Sequence, residues 1–389
     1  RMIQYFQHCP YSPFSLNYVI GKMESFQQKR YTYTMRILFV EGYPMHNDTW
    51  YIQPFRALLE TAAAYGSVCA VYGSDKHLYK SKKYPAPVLT GPFYREKEAG
   101  RTWEEDLYEN KYIRRGFLQK DIQALNRAID EFRPELIIDA GRTTASVCAR
   151  VHRIPYRTII TGAMYRKHTV RPQYLQDLNR VLSGNGLEQI LSLKDLNEYA
   201  EKRFVFGPLS ADPLSEEIDA VRIGGSFLHD TVEADQNGIA VLLPSSAIGA
   251  GKLHRLIQDT FYGAPYPVFA HLSQDYPSAG NVDYSPTMKM NALKERNIVI
   301  HDGNRMIYYE CLTRGIPQIV ISDGSWCRGW IASCALRNCA GLQIEESELS
   351  VASLYETYRR LLSDDYYSRR AEYIKKETAS LDRFSSILF

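Results

Sequence analysis

No two cysteines in this chain are spaced as CxxC. The seven stand singly at Cys9, Cys69, Cys148, Cys311, Cys327, Cys334 and Cys339, and an odd set of isolated thiols argues against a disulfide framework or a structural zinc site. The expected location is cytoplasmic. Long hydrophobic runs are missing too: none approaches the roughly 20 residues a membrane-spanning helix needs, and the first residues lack a secretory pattern. Neither sign of charge dominates, since 47 basic residues meet 44 acidic ones for a net charge of +3. No broad field selects nucleic acid or an acidic membrane, and the lysines from Lys76 to Lys83 read as a solvated loop. Two nucleotide fingerprints are absent. SSAIGAGKL departs from the GxxxxGK[ST] spacing and puts Leu253 where the metal-binding hydroxyl would stand, and no GxGxxG follows the first strand. ATP hydrolysis and dinucleotide-dependent redox chemistry are excluded on those grounds.

What the chain does have is apolar substance, 45% of 389 residues, enough for two cores. Residues 1–34 show no clean period and form an extension of unknown role. From Met35 a rhythm begins. MRILFVEGY is a short apolar run, and PFRALLETAAAYG carries apolar residues at helical spacing. SVCAVYG, PELIIDAG and YRTIITG read as further buried strands, with FLQKDIQALNRAIDEF as an amphipathic helix between. After a mostly helical insertion (173–200) comes RFVFGPLSADPL, one more strand with a Pro- and Asp-rich exit.

The rhythm restarts with IAVLLPSS, KLHRLIQDTFY, PVFAHLS, NIVIHDG, MIYYECLTRG, IPQIVISDG and WIASCALRN. Strands alternating with helices predict parallel sheets covered on both faces. The expected division is 35–230 and 238–365, with a helical tail, 366–389, packing across the domain junction. Ligands of such sheets lie beyond the carboxyl ends of the strands, so the candidate loops are 41–51, 139–144, 244–251, 301–305 and 322–328.

NIVIHDGNRMIYYECLTRGIPQIVISDG resembles the signature of the UDP-glycosyltransferase and antibiotic glycosyltransferase family, in which a strand ends in HHGGxGT, a helix carries a Glu, and GVP leads into the next strand. Glu310, Gly315 and Pro317 fall in register. VLLPSSAIGAGKLHRLI, VDYSPTMKMNAL, the opening MRILFVEGY and YLQDLNRVLSGNGLEQILSLKDL are similar to other stretches of that family in the same order, so the likeness spans roughly residues 35–365. It implies the α/β GT-B fold: two Rossmann-like domains with parallel sheets facing across a cleft. It also implies metal-independent, inverting transfer of a sugar from a UDP- or dTDP-sugar to a hydroxyl of a small-molecule acceptor. No cofactor, metal, nucleic acid or membrane span is expected, and a homodimer is compatible. A nucleotide-sugar epimerase or hydrolase, or a catalytically silent binder of a nucleotide-sugar or a protein, are the alternatives on this fold.

The resemblance places the donor against Ser245, Ser246, Pro286, His301, Asp302, Gly303, Asn304, Glu310 and Asp323. Departures from the pattern are concentrated here. Asp302 or His301 stands for the phosphate-binding His, Asn304 for the second Gly, and Trp326 and Cys327 for an acidic–Gln pair that Asp323 would replace. Each position has a plainer reading: a turn for Pro286 and Gly303, a helix cap for the serines, an exposed helix residue for Glu310. Gly303→Val is expected to weaken nucleotide binding while sparing the fold, by blocking backbone approach. For the base, the loop after the first strand offers His46 and Asp48, with Asp139 able to orient an imidazole. His46 is equally a solvated loop residue, and Asp139 is equally a cap for the helix after it. Tyr165 and Tyr174 are candidates to stack on an acceptor.

Overall fold

The computed structural model describes residues 35–40, 66–71, 100–225, 238–244, 246, 248–285, 293 and 297–389. The 1–34 extension and the helix expected after Pro54 lie outside them. The elements below belong to one unit, Met35–Phe389. Its first part runs β1 (Met35–Val40), β2 (Gly66–Val71), α1 (Trp103–Glu109), α2 (Arg115–Phe132), β3 (Leu136–Asp139), α3 (Thr143–His152), β4 (Tyr156–Ile160), α4 (Pro172–Gly184), β5 (Lys202–Phe206) and β6 (Val221–Gly224). Short 3₁₀ turns, Gly162–Tyr165 and Leu193–Tyr199, flank α4. The second part runs β7 (Ile239–Leu243), α5 (Ala250–Phe261), β8 (Val268–Leu272), β9 (Val282–Tyr284), β10 (Ile298–His301), α6 (Arg305–Arg314), β11 (Gln318–Ser322), α7 (Trp326–Arg337), β12 (Gly341–Glu345), α8 (Val351–Ser363), α9 (Asp365–Ala379) and β13 (Asp382–Arg383).

The strands form two sheets, ordered β13-β6-β5-β4-β3-β1-β2 and β12-β11-β10-β7-β8-β9, and every described pairing between them is parallel. Parallel strands are covered on both faces and so read as unbroken apolar runs. In β1, Ile37 and Phe39 join one core and Leu38 and Val40 the opposite one, with Leu125, Ile129 and Ala145 of α2 and α3. In β7, Val241 and Leu243 pack with Leu253, Ile257 and Phe261 of α5 and with Leu354 and Leu361 of α8, while Ala240 and Leu242 meet Ile307 and Cys311 of α6.

Three strands differ from expectation. β6 joins the first sheet after the Pro- and Asp-rich exit, β9 takes the start of VDYSPTMKMNAL, and β13 comes from the tail. All three are short, and backbone pairing stabilises them with few buried side chains of their own. The tail binds both parts: α9 packs on α6, and Ile387 and Leu388 enter the core of the first sheet beside Phe204 and Ile223.

The carboxyl edges of the two sheets oppose each other. After β5, the Ala211 carbonyl accepts a hydrogen bond from the Tyr308 hydroxyl of α6 at 2.8 Å, and the Asp212 carboxylate accepts one from Trp330 Nε1 of α7 at 2.8 Å. Phe206 and Tyr309 lie 5.5 Å apart between ring centres. Trp326 and Cys327, opening α7, are buried among Trp103, Leu107 and Val205. The helix α6 is buried from Met306 to Leu312, as a helix apolar on all sides must be.

Candidate functional site

In an open parallel sheet, the place where the chain reverses its direction of travel leaves a crevice at the strand ends. In the first sheet it lies between β1 and β3, in the second between β7 and β10. Val40 pairs with Asp139 across the first and Leu242 with His301 across the second. Sequence reasoning picked both Asp139 and His301. His46 and Asp48, in the loop after β1, lie outside the described residues, as do Ser245 and Pro286.

Asp139 is buried. One carboxylate oxygen accepts from the backbone N–H groups of Gly141 and Arg142 at 3.1 and 2.6 Å, and the other from the Tyr156 hydroxyl at 2.9 Å. Burial disfavours the charged form and, against these hydrogen bonds, pushes the carboxyl up to about 6. The turn that Asp139 ties leads into α3, whose N-cap Arg142 contributes no side-chain cap. Instead Arg142 turns inward. Its Nε and Nη2 donate to Asp121 of α2 at 2.9 and 2.6 Å, with both side chains fully buried, and Thr144 Oγ1 donates to the same carboxylate.

His301 ends β10 with no exposed surface. Gly303 N–H donates to its Nδ1 at 3.2 Å and its Nε2 lies 2.8 Å from Gln318 Oε1, so the neutral ring carries its proton on Nε2. Burial pushes its pKa down to about 4. A group bound to fewer protons when folded stabilises the fold above its unfolded pKa of about 6.5 and loses that contribution as pH falls towards 4. The loss amounts to about 3 kcal/mol. His301→Gln, which keeps a donor towards Gln318, is expected to flatten this part of the stability–pH curve in urea titrations; an unchanged slope between these two pH values would contradict the assignment.

Asp302 is buried beside it. Asn304 caps α6, its Oδ1 accepting from Met306 and Ile307 N–H at 2.9 and 3.2 Å. Gly303 adopts φ +76°, and a Cβ there would meet Arg328 Cβ at 2.8 Å and Cα at 3.0 Å. The expectation that Gly303→Val spares the fold is corrected by this contact with α7. A left-handed non-Gly residue alone costs about 1–3 kcal/mol, so even Gly303→Ala is expected to lower the unfolding midpoint, and an unchanged melt would disprove the contact.

The remaining residues also have partners. Glu310 is buried rather than exposed, and Arg314 Nε donates to it at 2.8 Å. Asp323 accepts from Ser325 N–H at 2.9 Å and pairs with Arg328 at 3.2 Å. Ser246 accepts from Ile248 N–H at 3.2 Å and donates to Glu346 at 2.8 Å. Tyr165 accepts from Asn197, and Tyr174 packs on Tyr108 at 4.9 Å. Sequence reasoning missed Asp212, a buried carboxylate at the domain junction that accepts from Trp330 and from Gly162 N–H at 2.9 Å. It also missed the Arg142–Asp121 pair, although Asp121 stands on the apolar stripe of α2 between Leu118 and Leu125. Burial raises the thiols of Cys69, Cys148, Cys311, Cys327 and Cys334, Cys327 to about 11, and so leaves them unreactive. Among the described residues no cluster of three or more His, Cys, Asp or Glu could hold a metal ion, and no helix is long and apolar enough to cross a membrane.

No family model and no curated protein matches the chain by sequence. Solved structures do match its fold. The calicheamicin glycosyltransferase CalG4 superposes with a TM-score of 0.71 at 15% identity, over 91% of this chain and 96% of its own. SnogD, a glycosyltransferase from Streptomyces nogalater, gives 0.67 at 18%, covering 92% and 98%. The glycosyltransferase VinC, solved in complex with dTDP, gives 0.65 at 17%, covering 91% and 98%. The fold of this chain is therefore GT-B, as its sequence implied.

Proposed function

We propose that this chain is a glycosyltransferase that moves a sugar from a UDP- or dTDP-sugar to a hydroxyl of a small-molecule acceptor, with inversion and without a metal. The observation that carries this reading is the pair of opposed carboxyl edges, each with its own crevice. One belongs to an acceptor at β1 and β3, the other to a nucleotide donor at β7 and β10. Support comes from neighbours of the same fold that are natural-product glycosyltransferases, one of them holding dTDP. In this reading the acceptor oxygen attacks the anomeric carbon and passes its proton to His46 or Asp48, as the bond to the donor phosphate breaks. Asp139 steadies the base. The donor lies against Ser245, Ser246, Pro286 and the turn His301–Asn304; Glu310 and Asp323 reach it by exchanging Arg314 and Arg328 for its hydroxyls.

A catalytically silent relative that binds a nucleotide-sugar or a protein is the second reading. It is favoured by the Asn304 side chain on the first amides of α6 and by Arg328 packed on Gly303. Incubation with UDP- and dTDP-sugars and a panel of hydroxylated acceptors, followed by mass detection, separates the readings. A glycosylated product supports transfer. Free nucleotide alone means hydrolysis, and bound but unconsumed donor means a binder.

A further inference from the structure

Beyond β4 the chain makes the turn Gly162–Tyr165 and then runs exposed from Arg166 to Thr169 before α4. This stretch, RKHTVR, stands at the carboxyl edge of the first sheet, beside α7 of the second. It is pinned at its centre. His168 Nδ1 lies 2.8 Å from the Arg166 carbonyl and its Nε2 2.8 Å from Glu104 of α1. The same Glu104 accepts from Ser192 Oγ and Leu193 N–H at 2.7 and 2.9 Å. Burial opposes its charge, yet the hydrogen bonds from Ser192, Leu193 and His168 hold it below the usual carboxylate range. Arg166 lies 5.9 Å from the centre of the Trp330 ring, which Arg337 faces at 4.7 Å, a loose contact that leaves its charge uncompensated.

The charges around this loop are unbalanced. Arg166, Lys167 and Arg171 are exposed, and none has a direct carboxylate partner among the described residues; Arg171 donates to the Tyr174 hydroxyl, which in turn donates to Glu105. The three acids of the first turn of α1 are each engaged by other groups, Glu104 by His168 of the loop itself. Glu104 is spent on the contacts above, Glu105 accepts from Arg101 N–H and the Tyr174 hydroxyl, and Asp106 accepts from Gly100 N–H. Three exposed cations, Arg166, Lys167 and Arg171, therefore stand on a strand-end loop whose neighbouring carboxylates on α1 already have donors.

We propose that this rim, with Arg166 and Lys167 at its centre, binds the carboxylate of a small organic acid, so that the acceptor carries an acid group besides the hydroxyl that receives the sugar. A guanidinium matches a carboxylate in plane and in charge. Arg166, Lys167 and Arg171 fall within one six-residue stretch of a chain whose net charge is only +3, which suits a small ligand, since a membrane or a nucleic acid would be met by a broad field. This rests on the first domain being the acceptor side.

The test is calorimetric titration of the full chain, in the presence of dTDP, with hydroxylated aromatic acids such as 4-hydroxybenzoate, each matched to its primary amide. The acids are expected to bind about tenfold more tightly than the amides, the effect of one charge-assisted contact. Arg166→Ala with Lys167→Ala, both at exposed positions, should erase that preference, and Lys167→Glu should reverse it, with unchanged melting curves. Equal binding of acids and amides, a preference that survives in the variants, or no binding of any acid at millimolar concentration overturns the proposal. Acid binding is read without turnover, so a chain that binds acids but transfers no sugar would sink the proposed function and leave the acid-binding rim standing.

Discussion

Asp121→Ala is expected to destabilise the chain by about 3–5 kcal/mol, the cost of removing the carboxylate from a buried ion pair. Arg142 has no exposed surface, and two of its donors point at the carboxylate that the substitution removes. A domain-sized protein has about 5–15 kcal/mol in all, so the variant should unfold at much lower denaturant or fail to accumulate. The control replaces both partners. Asp121→Leu with Arg142→Met takes two charges out of the interior together and is expected to recover most of the loss, because a buried ion pair gains little over well-packed apolar groups. A single variant that loses less than about 1 kcal/mol, the range of a surface pair, would show that Arg142 finds water or another partner.

That ion pair also marks where sequence reasoning stopped. Asp121 on the apolar stripe of α2 announced a buried partner, but nothing local to α2 pointed to a residue 21 positions on, after another strand. The strands themselves were legible because parallel pairing buries both faces: LIID and IAVLL are apolar almost throughout, and YRTII is buried at all but Arg157. β6, the edge strand β9 and the tail strand β13 were not, since strands of four, three and two residues with at most two buried carry no period. His301 could have been placed more accurately. In a strand, alternate residues share a face, so His301 shares one with Val299, which packs beneath α6, and not with Ile298 and Ile300. Its interior position follows from that parity. MIYYECL in α6 shows no polar stripe, which is the mark of a helix covered on all sides. Glu310, sitting in it, was therefore bound to need a cation such as Arg314, one turn away.

His46→Ala is expected to lower turnover by about 10²–10⁴-fold while nearly preserving dTDP affinity, if the proposed transfer is correct, because a base on the acceptor side leaves the donor contacts alone. Asp48→Ala should do less, since a neutral imidazole takes a proton near pH 7 without the repulsion a carboxylate feels beside a diphosphate. Asp139 supplies the sharper measurement. Its carboxyl is raised to about 6 by burial, so its ionised form costs the fold stability that is intact below about pH 3.8 and is lost as pH rises through 6. Asn keeps an acceptor for the Gly141 and Arg142 amides and carries no charge. Asp139→Asn is therefore expected to gain about 1–3 kcal/mol at pH 7 relative to the parent, and to lose part of the turnover that His46→Ala loses. Opposite signs in stability and activity are what a strained carboxylate kept for chemistry would show, and a purely structural cap would not. Urea titration at pH 7 and single-turnover transfer with a verified acceptor read the two quantities separately. If Asp139→Asn transfers sugar at the parent rate, Asp139 orients no base; if His46→Ala and Asp48→Ala do so as well, the base lies outside the loop after β1.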